Sequence, residues 1–192
     1  MDPIVRAALV HYQFETAHPF LDGNGRLGRL LITLMLINDG VLHSCLFYPS
    51  FQFKKNRSEY YRQLTSVRER GTYEEWIEFF CNSLLESAKD SVGSLKNLVD
   101  LHNRSTATIT ENLGRTAANG QRLLGILEEH PIVDTAFIAA QLDIGRSTAS
   151  SLVKSFEELG ILRPLDESRQ RYRQYGYEEY LSILREDAEP IR

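Results

Sequence analysis

The stretch HPFLDGNGRLGR, His18–Arg29, sets a histidine, a carboxylate, an asparagine between two glycines, and two arginines within twelve positions. Upstream of it Ile4, Val5, Ala8, Leu9 and Tyr12 recur at helical spacing. That pattern must stop before Pro19, because a proline ring disfavours the α conformation at the residue preceding it. A first helix therefore ends by delivering His18. Asp22, Gly23, Asn24 and Gly25 are turn formers, whereas Arg26 to Asn38 consists of helix formers and closes at Gly40, an expected C′ residue. The spacing predicts a helix–loop–helix with its chemistry gathered in the loop. Beyond Arg29 the second helix is apolar almost all round, which predicts a place in the middle of a helical core.

The loop residues suit phosphate. Gly-Asn-Gly ahead of a helix lets the backbone turn several N–H groups toward one point, where the helix dipole also favours negative charge. Arg26 and Arg29, three apart on the first turn, can both reach oxygens held in such a nest. Two arginines and a nest point to several phosphates. A carboxylate at the mouth, Asp22, suits a Mg²⁺ that bridges phosphate oxygens. His18 is placed to take a proton from an attacking hydroxyl near neutral pH. Neither GxxxxGK[ST] nor GxGxxG is present, which excludes a P-loop or a Rossmann dinucleotide site on spacing.

Composition and pattern bound the rest. A chain of 192 residues, 42% apolar and 25% charged, can bury one good core or two small ones. The longest apolar run, Leu30 to Ile37, is far shorter than the roughly 20 residues of a membrane span, so no membrane association is expected. Met1 is followed by Asp2 and Pro3 rather than by a basic stretch and an apolar core, and the expected location is cytoplasmic. Cys45 and Cys81 lack metal-ligand spacing and read as buried free thiols.

After a loop at Tyr48 and Pro49, a third helix is expected over Asn56 to Arg70, closed by Gly71. Thr72 with Glu75 reads as a capping box opening a long fourth helix that carries Trp76, Phe79, Phe80, Leu84 and Leu85. Residues 102–120 turn polar and are read as a linker. From residue 121 a second module is expected. A helix over Thr135 to Leu142, a tight turn through Gly145 and a helix over Ser147 to Leu159 make a helix-turn-helix. Strands over Ile161 to Leu165 and Arg171 to Tyr175 would complete a winged helix. The fold class is thus mainly α, a helical core over 1–101 followed by a small winged helix-turn-helix domain over 121–192.

His18, Pro19, Phe20, Asp22, Gly23, Asn24, Gly25, Arg26 and Arg29 together match the signature HPFx[D/E]GNGRxxR, and the chain here resembles the Fic family. The likeness runs over roughly residues 2–101. It implies transfer of AMP from ATP, with Mg²⁺, to a hydroxyl side chain of a target protein. His18 would be the base and Asp22 the metal ligand. Gly23, Asn24, Gly25 and Arg26 would cradle the α- and β-phosphates, and Arg29 would hold the γ-phosphate. The similarity of residues 53–80 to the family's downstream helices places Tyr60 and Tyr61 near the nucleotide base, with Asn56 beside them. Core packing is the alternative for at least one of the two tyrosines. Family members carry further helices and a β-hairpin flap upstream of the motif. With 17 residues before His18, the chain reads as a C-terminal part of a Fic region, poorly active by itself and prone to pair as a homodimer.

Two rival readings remain open at this point. One keeps the site but moves another phosphate-containing group. The other makes the chain a DNA-binding regulator with a scaffold Fic region, its contacts being Arg146 and Lys154 on or beside the recognition helix and Arg171 and Arg173 in the wing. Over residues 120–192, however, 9 Lys and Arg stand against 13 Asp and Glu, an acidic balance that does not favour a polyanion.

Overall fold

The computed structural model describes residues 1–43, 49–166 and 173–186. The chain is mainly α and forms two compact units, Met1–Gly93 and Ser94–Glu186. In the first lie α1 (Pro3–Ala17), α2 (Asn24–Asn38), α3 (Ser50–Lys55), α4 (Arg57–Arg70) and the start of α5 (Tyr73–Asn112). Among the described residues no helix is long and apolar enough to cross a membrane.

Helix α1 begins where Asp2 accepts hydrogen bonds from the N–H groups of Ile4 (2.8 Å) and Val5 (3.2 Å), with Pro3 at the first helical position, where its missing N–H costs nothing. It pairs with α2 as an antiparallel hairpin. Arg6 near the start of α1 forms an ion pair with Asp39 at the end of α2, and His11 one and a half turns later meets Gly28. Behind the hairpin, Ala7, Ala8 and Tyr12 pack with Ile32, Leu36, Phe53, Tyr60, Leu64, Val67, Trp76, Phe80 and Leu84. The Trp76 indole N–H donates to the Ala8 carbonyl at 3.0 Å, so the bulkiest core side chain is also satisfied. Helix α2 is not buried all round as its sequence suggests. Its Gly28, Ile32 and Leu36 face the core, while Leu30 and Leu34 are about half exposed, because α1 covers only one face. Cys81 is a half-buried free thiol; Cys45 and Tyr48 lie outside the described residues.

Residues 102–120, expected as a linker, are mostly helical in the structure. Helix α5 continues to Asn112, a 3₁₀ turn spans Gly114–Thr116, and α6 (Ala117–Glu129) follows at once. The polar residues that suggested a linker are absorbed into the helix. Thr108, Thr110 and Asn112 each donate to the carbonyl four residues back, at 2.8–2.9 Å, instead of competing for the backbone from a turn. Leu101, Ser105 and Ile109, four apart, supply the buried face. The division between units falls at Gly93 and Ser94 instead.

The second unit adds β1 (Ile132–Asp134), α7 (Thr135–Leu142), α8 (Arg146–Glu158), β2 (Arg163–Pro164), β3 (Gln174–Gly176) and α9 (Glu178–Glu186). Asp134 caps α7 through the Phe137 N–H at 2.8 Å, and Asp143 ends it in the left-handed region at φ 54°. A three-residue turn then leads into α8. The strands form an antiparallel sheet in the order β1-β3-β2, with Val133 opposite Tyr175 and Arg163 opposite Gly176. Strand β1 was not anticipated from sequence. Of the two expected strands, β2 and β3 are shorter than foreseen, and residues 167–172, including Arg171, lie outside the described residues.

Two glycines of α6 give opposite expectations. A Cβ at Gly120 would stand 2.7 Å from Cγ2 of Ile109 and 2.8 Å from Cδ1 of Leu113, whereas one at Gly125 would meet nothing within 4 Å. Gly125→Ala should therefore stabilise the chain by up to about 1 kcal/mol through helix propensity. Gly120→Ala should destabilise it by roughly 1–3 kcal/mol through overpacking. Urea unfolding of both variants checks the pair of signs.

Candidate active site

The loop His18–Gly23 is shaped by three local devices. His18 takes the C-cap position of α1, its N–H donating to the Phe14 carbonyl at 3.0 Å, with φ 45° and ψ 54°. A left-handed conformation costs an L-residue roughly 1–2 kcal/mol, and such outliers gather at functional sites. Pro19 then prevents the helix from resuming. Next, the buried side chain of Asn24 clamps Phe20 from both ends, its Oδ1 accepting the Phe20 N–H at 2.9 Å and its amide donating to the Phe20 carbonyl at 2.5 Å. Finally Gly23, at φ 83°, turns the chain into α2 in a region open to glycine.

Helix α2 starts two residues earlier than its sequence pattern suggests, so Asn24, Gly25 and Arg26 make its first turn. Its first i→i−4 bond joins the Leu27 N–H to the Gly23 carbonyl at 3.0 Å. The N–H groups of Asn24, Gly25 and Arg26 thus have no intrahelical acceptor. Both guanidinium groups fold back over this turn. A Cβ at Gly23 would stand 3.6 Å from Nη2 of Arg26, and one at Gly25 would stand 3.1 Å from Nη1 of Arg29. A Cβ at Gly25 would oblige the Arg29 guanidinium to give way by a few tenths of an ångström. Asp22 is almost fully exposed, with Oδ1 accepting the Gly23 N–H at 2.6 Å and Oδ2 lying 3.5 Å from Arg26. Among the described residues no group of three or more His, Cys, Asp or Glu side chains could hold a metal. A single exposed carboxylate such as Asp22 could supply one ligand to a Mg²⁺ that takes its others from a bound phosphate and water.

The structure thus brings His18, Asp22, Gly23, Asn24, Gly25, Arg26 and Arg29 together on one loop and helix start. It separates the two tyrosines of α4. Tyr60 is 4% exposed, and its hydroxyl lies 2.9 Å from Nε2 of His11, which makes it a core residue whose burial pushes the phenol well above its ordinary range. Tyr61 is 53% exposed, its ring edge-on to Tyr60 and facing the Arg57 guanidinium at 5.7 Å. Asn56 is exposed ahead of α4, its amide donating to the Gln52 carbonyl at 3.1 Å. In the second unit Arg146 and Lys154 lie two turns apart on the exposed side of α8, where Lys154 sits 3.7 Å from Glu158. Arg173 is half-buried at the approach to β3.

Sequence reasoning missed His11, Glu15 and Gly28. His11 is 1% exposed within a ring of Phe53, Tyr60, Trp76 and Phe80. Its Nδ1 lies 3.0 Å from the Gly28 carbonyl, which can only accept, so Nδ1 carries the proton and Nε2 accepts the Tyr60 hydroxyl. The available signal was His11 and Glu15, one helical turn apart, ahead of a motif whose glycine at 28 leaves room for both.

Residues 1–36 match the Fic/DOC family. The protein adenylyltransferase fic-1 of Caenorhabditis briggsae is 35% identical over 96 residues, which is 50% of this chain and 18% of that protein. Its Caenorhabditis elegans counterpart is 34% identical over 100 residues, 52% of this chain and 18% of that protein. The protein adenylyltransferase Fic of Drosophila ananassae is 37% identical over 82 residues, 43% of this chain and 15% of that protein. The matched stretch spans less than a fifth of each relative. The stretch similar to the Fic/DOC family thus takes in α1, the loop and most of α2.

Burial lowers the His11 imidazole to about 4, with the Arg29 charge adding to the drop and the Gly28 carbonyl opposing it. The neutral form is therefore the folded one, and an unfolded chain with an ordinary histidine takes up a proton first. Stability from this site is fully present above about pH 6.5 and is lost as the pH falls toward 4. Between pH 7.5 and 5 the expected loss is roughly 2 kcal/mol. Urea midpoints across that range should fall more steeply for the wild type than for His11→Gln, and equal slopes would contradict the assignment.

Proposed function

We propose that the helix–loop–helix is the nucleotide site of a protein adenylyltransferase, which moves AMP from ATP onto a side-chain hydroxyl of a target protein. The observation that carries this reading is the first turn of α2, whose N–H groups have no intrahelical acceptor, with the Arg26 and Arg29 guanidiniums close to Gly23 and Gly25. The names of the matched relatives support the reaction type. In this reading His18 removes the proton of the target hydroxyl, whose oxygen attacks the α-phosphorus. The bond from that phosphorus to the bridging oxygen breaks, and pyrophosphate leaves with the electron pair. Gly23 to Arg26 hold the α- and β-phosphates by N–H donation, Arg29 holds the γ-phosphate, and fixed donors of this kind stabilise charge that grows on the leaving group. Mg²⁺ held through Asp22 and phosphate oxygens would neutralise further charge there. Tyr61, half exposed where Tyr60 is buried, is the one of the two tyrosines free to meet a base, and Asn56 lies five residues before it at the start of α4.

The second unit fits the same reading as a contact module. The pair α7–α8 about a three-residue turn, with the antiparallel sheet, supports reading it as a winged helix-turn-helix. Its acidic balance, and Lys154 beside Glu158, favour a protein partner over DNA.

Two variants test the roles. His18→Ala should lower single-turnover transfer of labelled AMP more than a hundredfold while ATP still binds, because phosphate recognition uses other groups. Equal rates in wild type and variant would remove His18 as the base. Asp22→Ala should weaken ATP binding measured by calorimetry with Mg²⁺ more than without it. An equal loss in both titrations would reduce Asp22 to a turn former through its bond to the Gly23 N–H.

A further inference from the structure

Behind the nest, three polar atoms are buried without a hydrogen-bond partner: Oε1 of Glu15, Oγ1 of Thr16 and Nε of Arg29. Their placement is tight. Glu15 lies three residues before His18 on α1, and a Cβ at Gly28 would collide with its Oε1, so the carboxylate rests directly on the α2 backbone next to Arg29. Burial raises the Glu15 carboxyl above its ordinary range, while the nearby Arg29 guanidinium pulls it back. The Arg29 guanidinium has two sides here. Its Nη1 stands close to Gly25, while its Nε is buried without a hydrogen-bond partner. Nε–H is a donor that cannot be deprotonated, and a buried donor left unpaired is costly.

We propose that Glu15 is a positioning residue for Arg29: its buried carboxylate receives the inward Nε–H, directly or through one trapped water, and so holds both Nη groups toward the glycine nest. The water-bridged form needs no change of backbone, because a trapped water commonly joins buried polar groups that cannot touch. Once Nε is engaged, the planar guanidinium has lost its rotation, and its two Nη groups meet phosphate oxygens already oriented. A partly buried carboxylate that would otherwise be a stability cost next to His11 and Gly28 thereby acquires a reason to be there. The proposal rests on the phosphate-site reading only for what Arg29 is held against, not for the contact itself.

The test uses the full chain and has two readouts. Proton exchange at the Arg29 side-chain Nε–H, assigned by its loss in Arg29→Lys, reports the contact without any ligand. Titrations with tripolyphosphate and with AMP report its use. In the wild type the Nε–H should exchange slowly. Glu15→Ala should speed that exchange at least tenfold and weaken tripolyphosphate binding about tenfold, with AMP affinity unchanged. Glu15→Gln keeps shape and an accepting oxygen, so it should fall between the two; it also carries the comparison if Glu15→Ala melts early. Unchanged Nε–H exchange in both Glu15 variants would overturn the proposal whatever the affinities. Exchange that follows Glu15 while tripolyphosphate binds all forms equally would uphold the contact and overturn the phosphate role of Arg29.

Discussion

Everything at the candidate site depends on one buried imidazole. His11 on α1 donates to the Gly28 carbonyl of α2 and accepts from the Tyr60 hydroxyl of α4, so a single neutral ring fixes the relation of three helices. The Gly28 contact sits one residue before Arg29 and one helical turn after the nest. Any slip of α1 against α2 would carry His18 away from the first turn of α2, and in the proposed transfer reacting groups misplaced by about 1 Å would lose about a hundredfold in rate. The aromatic ring around His11 keeps water out and keeps the imidazole neutral, which lets Nε2 accept.

The nest is rigid on one side and open on the other. Asn24 locks the loop to Phe20 from within, while Asp22 and Arg26 stay at the solvent edge. That division suits a site whose donors must be aimed before the ligand arrives, since hydrogen bonds fixed in advance cost no reorganisation when charge develops. The left-handed His18 belongs to the rigid side. Its backbone is determined by the Phe14 carbonyl before it and the proline after it, so the side chain leaves the helix at a defined angle.

The parts legible in the sequence were those governed by local chemistry. Pro19 announced the end of α1, the Gly-Asn-Gly run announced the turn into α2, and Gly145 and Gly160 bracketed α8 closely. What stayed hidden was set by pairing across the fold. His11, Glu15 and Gly28 are ordinary helix residues until α1 and α2 meet. Tyr60 and Tyr61 look equivalent until burial assigns one to the core and leaves the other exposed. The polar run after Leu101 looked like a linker because Thr and Asn favour turns, yet their side chains bonded back along α5 while Ile109, fully buried, held the helix to its unit. Strand β1 is three residues long and gains its identity only from pairing with β3.

The central claim is that the first turn of α2 receives phosphate through its backbone. Backbone amide resonances of the ¹⁵N-labelled chain, followed during a titration with tripolyphosphate, test this most directly. The account predicts that the largest downfield shifts fall together on Asn24, Gly25 and Arg26, saturate with one binding constant and are absent with a neutral sugar. Shifts scattered over the surface arginines and lysines, with these three amides unmoved, would contradict it.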